Sequence, residues 1–362
     1  MLDLYVIGCG GIGGYLIERL PMVISSLSLD ALAKISSEAT VTKELELAGN
    51  RALPCVVDSL TLIDGDIFNP RNAIRQGAGA GSKLVIRMRD VKSKMRSYEH
   101  IVEKLRQLKV TEEAQQHLQQ VIDGLDANVK AMVEETNLPT LLGMDTEDVH
   151  MLKKSLESEM IKVSFLQRMR LVGYDQYICP RNMQEMIPPK AEENIENMLA
   201  WKNLLHIGRV NDDLDLPKGA VVFLCVDNVK TRYEVSKYME RFPDCLVLNG
   251  GNSKTAGHVT AYERKSGAPL DPAIYEVYPN ITPDADKRPD EDDCTAVAPK
   301  HDQIAVTNSM IADIMLAMFI RWAREGLYAQ GKGPKGAKTT IRKNEVLVDI
   351  ESLTATPMYH PL

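Results

Sequence analysis

A chain of 362 residues, 44% hydrophobic and 26% charged, has the composition of a globular protein long enough for two domains or for one domain with an insertion. Its net charge of -7 argues against recognition of a nucleic acid through its phosphates, which needs a basic surface. Six cysteines, at positions 9, 55, 179, 225, 245 and 294, contain no C-x-x-C pair, so neither a cysteine zinc knuckle nor a disulfide framework is expected.

The opening residues Leu2 to Ile7 read as a short buried strand that runs straight into a glycine turn, without the pattern of a signal peptide. Gly8 to Gly14 form the turn, and Tyr15 to Leu20 open a helix that Pro21 should interrupt. Residues 28–58 are mixed in character and read as a surface excursion. Leu60 to Ile63 make a second apolar strand, which ends in Asp64-Gly65-Asp66. Between about Arg96 and Leu205 the pattern changes to apolar residues at three- and four-residue spacing with charges between them, in stretches such as Ala114 to Val133 and Val149 to Leu171. These imply a large helical insertion.

Strand character returns with the continuous apolar run Ala220 to Val226, as expected of a central parallel strand. Asn228 to Arg241 reads as an amphipathic helix, Cys245 to Leu248 as a buried strand, and Val259 to Tyr262 as a further strand. Residues 263–293 read as an exposed crossover loop. Ile304 to Trp322 is an apolar helix suited to packing on the sheet or in a dimer interface, and its core Ile311 to Ile320 is too short to cross a bilayer. A Gly/Lys linker leads to a last strand, Glu345 to Ile350.

Strands alternating with helices imply an α/β protein: a Rossmann-like, mainly parallel sheet with flanking helices and a large helical insertion. The expected units are residues 1–108 and 216–326 as two halves of one α/β domain, 109–215 as the insertion and 327–362 as a tail. A cytoplasmic, non-membrane protein is expected.

Four motifs carry chemistry. Gly8-Cys9-Gly10-Gly11-Ile12-Gly13-Gly14 sits between strand and helix, where glycines let backbone N–H groups approach a phosphate and the helix N-terminus favours negative charge. That turn serves ATP and dinucleotides alike. A dinucleotide unit should place an acid about 20 residues further on, whereas the first acid ending a strand here is Asp64. The second motif is Asp64-Gly-Asp66, followed by Asn72, Arg75 and Gln76. A carboxylate at a strand end can accept both ribose hydroxyls, and Asn, Arg and Gln side chains can bind phosphate oxygens. Third is Phe223-Leu-Cys-Val-Asp227-Asn228-Val-Lys-Thr-Arg232, in which Asp227 leaves the carboxyl edge of a central strand, where it can hold Mg2+ or else cap the next helix. Fourth is Asp292-Asp293-Cys294-Thr295, ahead of the long apolar helix.

The second motif resembles the D-x-D-(x)5-N-x-x-R-Q signature of the ThiF/MoeB/HesA family, the ubiquitin-activating-type adenylating enzymes, and the third resembles that family's D-N-x-x-x-R strand end. Gln303 to Ala312, with Asn308 inside it, is similar to a helix of PRTRC-type ThiF proteins. The resemblance covers roughly residues 2–20, 60–108 and 218–325. It implies ATP and Mg2+ as cofactors. The nucleotide would lie on Gly8, Gly10, Gly11, Gly13, Asp64, Asp66, Asn72, Arg75, Gln76, Asp227 and Asn228, with Asp227 holding the metal. It also implies a phosphate-binding lysine at the next helix, assigned to Lys94 in Asp90-Val-Lys-Ser-Lys94, with Lys83 in Gly81-Ser-Lys83 as the alternative. Cys294 matches the thioester-forming cysteine, with a purely structural cysteine as the other reading.

The activity so implied is ATP-dependent adenylation of the C-terminal carboxylate of a small ubiquitin-like or sulfur-carrier protein, with Arg75, Lys94, Asp227 and Cys294 as the reacting-site residues, in a homodimer without structural zinc. Many members place an arginine-bearing helix ahead of the turn. Here the turn starts at Gly8, so that arginine is expected from elsewhere or is missing. An NAD-dependent oxidoreductase and a non-catalytic ATP-binding scaffold are the competing readings.

Overall fold

In the computed structural model the described residues are 1–35, 53–68, 81–96, 163–189, 194–208, 218–253, 255–286, 305–328 and 344–362. In chain order the first half contributes β1 (Leu2–Ile7), α1 (Gly11–Ile35), β2 (Val57–Ile63), β3 (Ile67–Phe68), β4 (Gly81–Ser82), α2 (Lys83–Arg96), β5 (Arg170–Tyr174), α3 (Met183–Met186) and α4 (Ile195–Gly208). The second half contributes β6 (Gly219–Leu224), α5 (Val229–Met239), β7 (Cys245–Asn252), β8 (Ala256–Lys265), β9 (Ala268–Pro269), α6 (Ile274–Val277), α7 (Ala305–Tyr328), β10 (Glu345–Asp349) and β11 (Thr354–Met358).

The main sheet runs β11-β10-β8-β7-β6-β1-β2-β5, with β9 pairing β8 off this path. From β5 to β7 every pairing is parallel, and β8, β10 and β11 join antiparallel. Alternation along β1 explains why both faces need cover. Leu2, Leu4 and Val6 face a core made with Leu16, Leu20 and Leu27 of α1, Leu84 and Val91 of α2, and Ile311, Met315 and Phe319 of α7. Tyr5 and Ile7 face the opposite core with Val235 and Met239 of α5 and Met183 and Met186 of α3. Phe223 of β6 meets Phe319 edge-on at 5.5 Å between ring centroids, a geometry that aromatic quadrupoles favour. The α/β class with helices on both faces of a largely parallel sheet follows directly.

Several elements differ from the sequence reading. Helix α1 runs through Pro21 rather than stopping there. Pro21 removes one backbone hydrogen bond at a cost of about 3 kcal/mol, and the burial of Val23, Ile24, Leu27, Ala31 and Leu32 beyond it offsets that loss. Residues 28–35 therefore continue a buried helix instead of opening a surface excursion. β2 begins at Val57, three residues before the expected strand, and all seven of its residues are buried. Within the stretch expected to be helical, Arg170–Tyr174 is a strand that pairs parallel with β2 and extends the main sheet. Its run Leu-Val-Gly-Tyr is too short for periodicity to separate strand from helix, and pairing with β2 decides.

β1 lies between β2 and β6, with Ile7 opposite Ile63 on one side and Leu224 on the other. The chain moves outward from β1 through β2 in one direction and from β6 through β7 in the other. Strand order therefore reverses between β1 and β6, and at such a reversal the loops leaving the carboxyl ends diverge to leave a crevice. Gly8, Asp64 and Cys225, each following its strand end, stand at the mouth of that crevice.

Candidate functional site

Gly8 has a φ of +89°, and a Cβ there would lie 2.8 Å from the carbonyl oxygen of Cys225. Glycine alone lets the end of β1 approach the end of β6 in this conformation. A Cβ on Gly13 would lie 1.8 Å from the carbonyl oxygen of Gly8, so the turn closes on itself only with glycine at that position. The first helical bond of α1 follows, with Gly14 N–H donating to Gly10 O at 2.8 Å.

Asp64 binds this turn to β2. Its Oδ2 accepts from Cys9 N–H at 2.5 Å and its Oδ1 from Asp66 N–H at 2.8 Å. Each carboxylate oxygen can accept more than one hydrogen bond, so these contacts orient the group without exhausting it. Burial pushes the Asp64 carboxyl above its ordinary range, and the nearby Lys83 ammonium together with the two backbone donors opposes that.

Lys83 begins α2 and is 7% exposed. Its Nζ pairs with the Asp66 carboxylate, and its N–H donates to Asp66 O at 3.1 Å. The antiparallel pair β3–β4, with Ile67 opposite Ser82 and Phe68 opposite Gly81, carries the start of α2 back beneath Asp66. Lys94 lies elsewhere: its Nζ donates to the carbonyl oxygen of Glu18 on α1. At 1.5 Å per residue, eleven residues of helix separate the two lysines by about 16 Å along α2. Lys83 is thus the lysine that joins the Asp64–Asp66 cluster. Arg87, four residues after Lys83 and on the same face of α2, had no assigned role in the sequence reading. Its Nε donates to Cys9 O at 3.5 Å, and its guanidinium occupies the space that a Cβ on Gly14 would need.

On the other side of the crevice, Asp227 is exposed just beyond the end of β6. The cap of α5 falls to Asn228, whose Oδ1 accepts from Thr231 N–H at 2.8 Å, so Asp227 does not serve as that cap. The next two helix amides, Val229 and Lys230, donate to the two carboxylate oxygens of Asp286 at 2.8 Å each. Arg232 is buried at the root of the crevice and donates to Val226 O, to Gly250 O at 3.0 Å and to Asn249 Oδ1 at 2.6 Å, joining the carboxyl ends of β6 and β7. Burial pulls its guanidinium below the usual arginine range, and Asp227 opposes that shift.

Asn72, Arg75, Gln76 and Cys294 lie outside the described residues. Of the two thiols at the crevice, Cys9 is buried and Cys225 half-buried; desolvation pushes Cys9 well above the ordinary thiol range and Cys225 up to about 12, which disfavours both as nucleophiles.

No protein-family model matches the chain, and no curated protein matches it in sequence. Solved structures similar to it include E. coli MccB with ATP, at 11% identity and a TM-score of 0.39 over 99% of this chain and 64% of that one. E. coli MccB with SeMet MccA is similar at 12% identity and a TM-score of 0.40, over 99% and 63% of the two chains. SeMet PaaA is similar at 10% identity and a TM-score of 0.39, over 99% and 73%. The chain therefore spans about 64% of the length of the MccB chain solved with ATP. Among the described residues no helix is long and apolar enough to cross a membrane.

Proposed function

We propose that this protein binds Mg-ATP in the crevice between β1 and β6 and adenylates the C-terminal carboxylate of a small protein or peptide. The observation that carries the reading is the Asp64–Asp66–Lys83 cluster, set at the end of β2 against the glycine turn. A buried acid held by backbone donors suits ribose hydroxyls, and a lysine beside the first turn of α1 suits phosphate. In this reading Asn72, Arg75 and Gln76 add phosphate donors from the stretch between β3 and β4, and Lys83, the alternative in the family resemblance, takes the role first assigned to Lys94.

Mg2+ needs only one or two protein carboxylates when phosphates supply its other oxygens. The described residues contain no cluster of three or more ligating groups, and the exposed Asp227 fits that sparse donor set. Bound there, the ion would offset phosphate charge. The chain's own work is positioning: the glycine turn and Lys83 hold the phosphates while a substrate carboxylate oxygen attacks the α-phosphorus. The bond from the α-phosphorus to the bridging oxygen breaks, pyrophosphate leaves and an acyl-adenylate remains. Cys294 then takes the acyl group: its thiolate attacks the carbonyl carbon, AMP leaves and the thiol proton goes to solvent. The carboxylate donor is a ubiquitin-like or sulfur-carrier protein, and the active form is a homodimer in the cytoplasm.

A second reading has one observation in its favour. Asp64 ends the strand next to β1, the place where a dinucleotide-binding fold carries its ribose acid, although it lies far along the sequence. An NAD-dependent oxidoreductase would use the same position.

Isotope exchange between pyrophosphate and ATP tests the proposal. Small proteins and peptides with a free C-terminal carboxylate should support exchange, and the same molecules amidated should not. Exchange indifferent to amidation, or cleavage to ADP and phosphate, would count against adenylation.

A further inference from the structure

One side chain at the glycine turn is unused by this account. Asn308 lies in the first turn of α7, and it is 1% exposed. Packing brings it there. Arg19 of α1 pairs with Asp313 at 2.7 Å and donates to Ser309 Oγ at 2.9 Å, so the first turns of α7 run beside α1. Ile311 and Met315 of α7 fill the space above Gly250 and Gly257.

The two ends of the Asn308 amide are in different situations. Its Oδ1 accepts from Asn252 Nδ2, at the end of β7, at 2.5 Å. Its Nδ2 has no acceptor within hydrogen-bond distance among the described residues. That nitrogen lies 2.7 Å from the place a Cβ on Gly11 would occupy, so the amide fills the gap left by the first glycine of α1. A donor without a protein acceptor in a folded chain leaves a place where water, an ion or a ligand supplies the partner. Here the donor is aimed at the N-terminus of α1, which itself favours an anion. Asn252 sets the direction: by donating to Oδ1 it leaves Nδ2 as the group that faces the turn.

We propose that Asn308 is a ligand-binding residue whose Nδ2 donates to a phosphate oxygen of a nucleoside triphosphate seated on the first turn of α1. The proposal rests on the nucleotide-binding reading above and adds to it a third wall. Backbone amides of the glycine turn form the floor, Lys83 and Arg87 stand on the α2 side, and Asn308 closes the α7 side. As a neutral donor it contributes direction rather than net charge, and it ties phosphate binding to the start of α7 and the end of β7.

The test is calorimetric titration of the full chain with Mg-ATP and, separately, with adenosine. Asn308→Ala should weaken Mg-ATP about 10- to 100-fold, the range for a hydrogen bond to a charged group, and leave adenosine unchanged. Asn308→Asp keeps an oxygen for the Asn252 amide, preserves the internal contact and hence the fold, and should weaken Mg-ATP further. Asn252→Ala removes the internal bond but keeps the donor, so its loss of Mg-ATP affinity should be smaller than that of Asn308→Ala. Equal weakening of Mg-ATP and adenosine by Asn308→Ala, or unchanged Mg-ATP affinity in both Asn308 variants, would overturn the proposal. A wild-type chain that binds no Mg-ATP would remove the nucleotide reading itself, and this residue assignment with it.

Discussion

The backbone N–H of Cys9 donates to Oδ2 of Asp64 at 2.5 Å, across 55 positions of sequence. This contact fixes the glycine turn to the end of β2 and holds the carboxylate over the crevice. Asparagine cannot replace it without loss. Asp64 accepts from Cys9 N–H through one oxygen and from Asp66 N–H through the other, and an amide would turn its own donor toward one of them. Asp64→Asn should therefore lower stability by about 1–3 kcal/mol, the cost of a donor left unsatisfied. Urea unfolding measures this, and a variant as stable as wild type would contradict the role given to the carboxylate.

The glycine turn should tolerate no side chain where it meets its own backbone. Gly13→Ala would place a Cβ 1.8 Å from the Gly8 carbonyl oxygen, which only a displaced turn can relieve. Gly267→Ala is the control, with a φ of +82° but nothing within 4 Å of the added carbon. It should cost about 1–2 kcal/mol in backbone strain alone. Circular dichroism melts should show Gly13→Ala to be far the more damaging, and similar losses in the two would argue against the close approach.

Arg232 makes three hydrogen bonds from one buried guanidinium, to acceptors at the carboxyl ends of both β6 and β7. Lysine offers a point charge in place of that planar fork. Arg232→Lys should destabilise by about 3 kcal/mol, because the bonds it loses are made from a charged donor in a buried place. Chemical denaturation checks the figure, and a loss below about 0.5 kcal/mol, typical of surface changes, would contradict it.

The strands that carry the candidate site were legible in the sequence. The strands β1, β6 and β7 announce themselves as continuous apolar runs, and the acids that follow β2 and β6 identify the edge they leave. What was not legible depends on contacts made elsewhere in the fold. The passage of α1 through Pro21 is decided by the buried face on either side of it. β5 is decided by pairing with β2. That Lys83 rather than Lys94 meets Asp66 follows from the β3–β4 pairing, which spacing alone does not encode. Arg87 and Asn308 acquire meaning only when α2 and α7 pack on the turn, and Asp286 reaches the start of α5 from 57 positions away. Asn308 did carry one signal, its place in a motif at the head of the apolar helix. The motif could not say that its amide faces Gly11.

The two lysines of α2 should separate in function. Lys83→Ala should weaken Mg-ATP about tenfold or more, as loss of a charged donor to phosphate does, whereas Lys94→Ala should stay within about twofold, because Lys94 serves the Glu18 carbonyl. Equilibrium binding of a fluorescent ATP analogue distinguishes them, and the reverse ranking would restore Lys94 to the site.

Asp271 should make stability depend on pH. Burial pushes its carboxyl from 3.8 up to about 7. The folded state therefore holds a proton that the unfolded state releases near its ordinary value, so the contribution is complete below about pH 4 and is lost as pH rises through about 7. Asp271→Asn resembles the protonated form, so its stability relative to wild type should rise between pH 5 and about 7.5. Urea midpoints of both proteins across that range provide the check, and a constant difference would show that Asp271 does not titrate there.

The most direct test of the nucleotide assignment is calorimetric titration of the full chain with Mg-ATP and, in parallel, with NAD. Mg-ATP should bind, with affinity lost in Asp64→Ala and weakened about tenfold or more in Lys83→Ala, and NAD should give no heat. Binding of NAD without binding of Mg-ATP would contradict it and give the crevice to a dinucleotide.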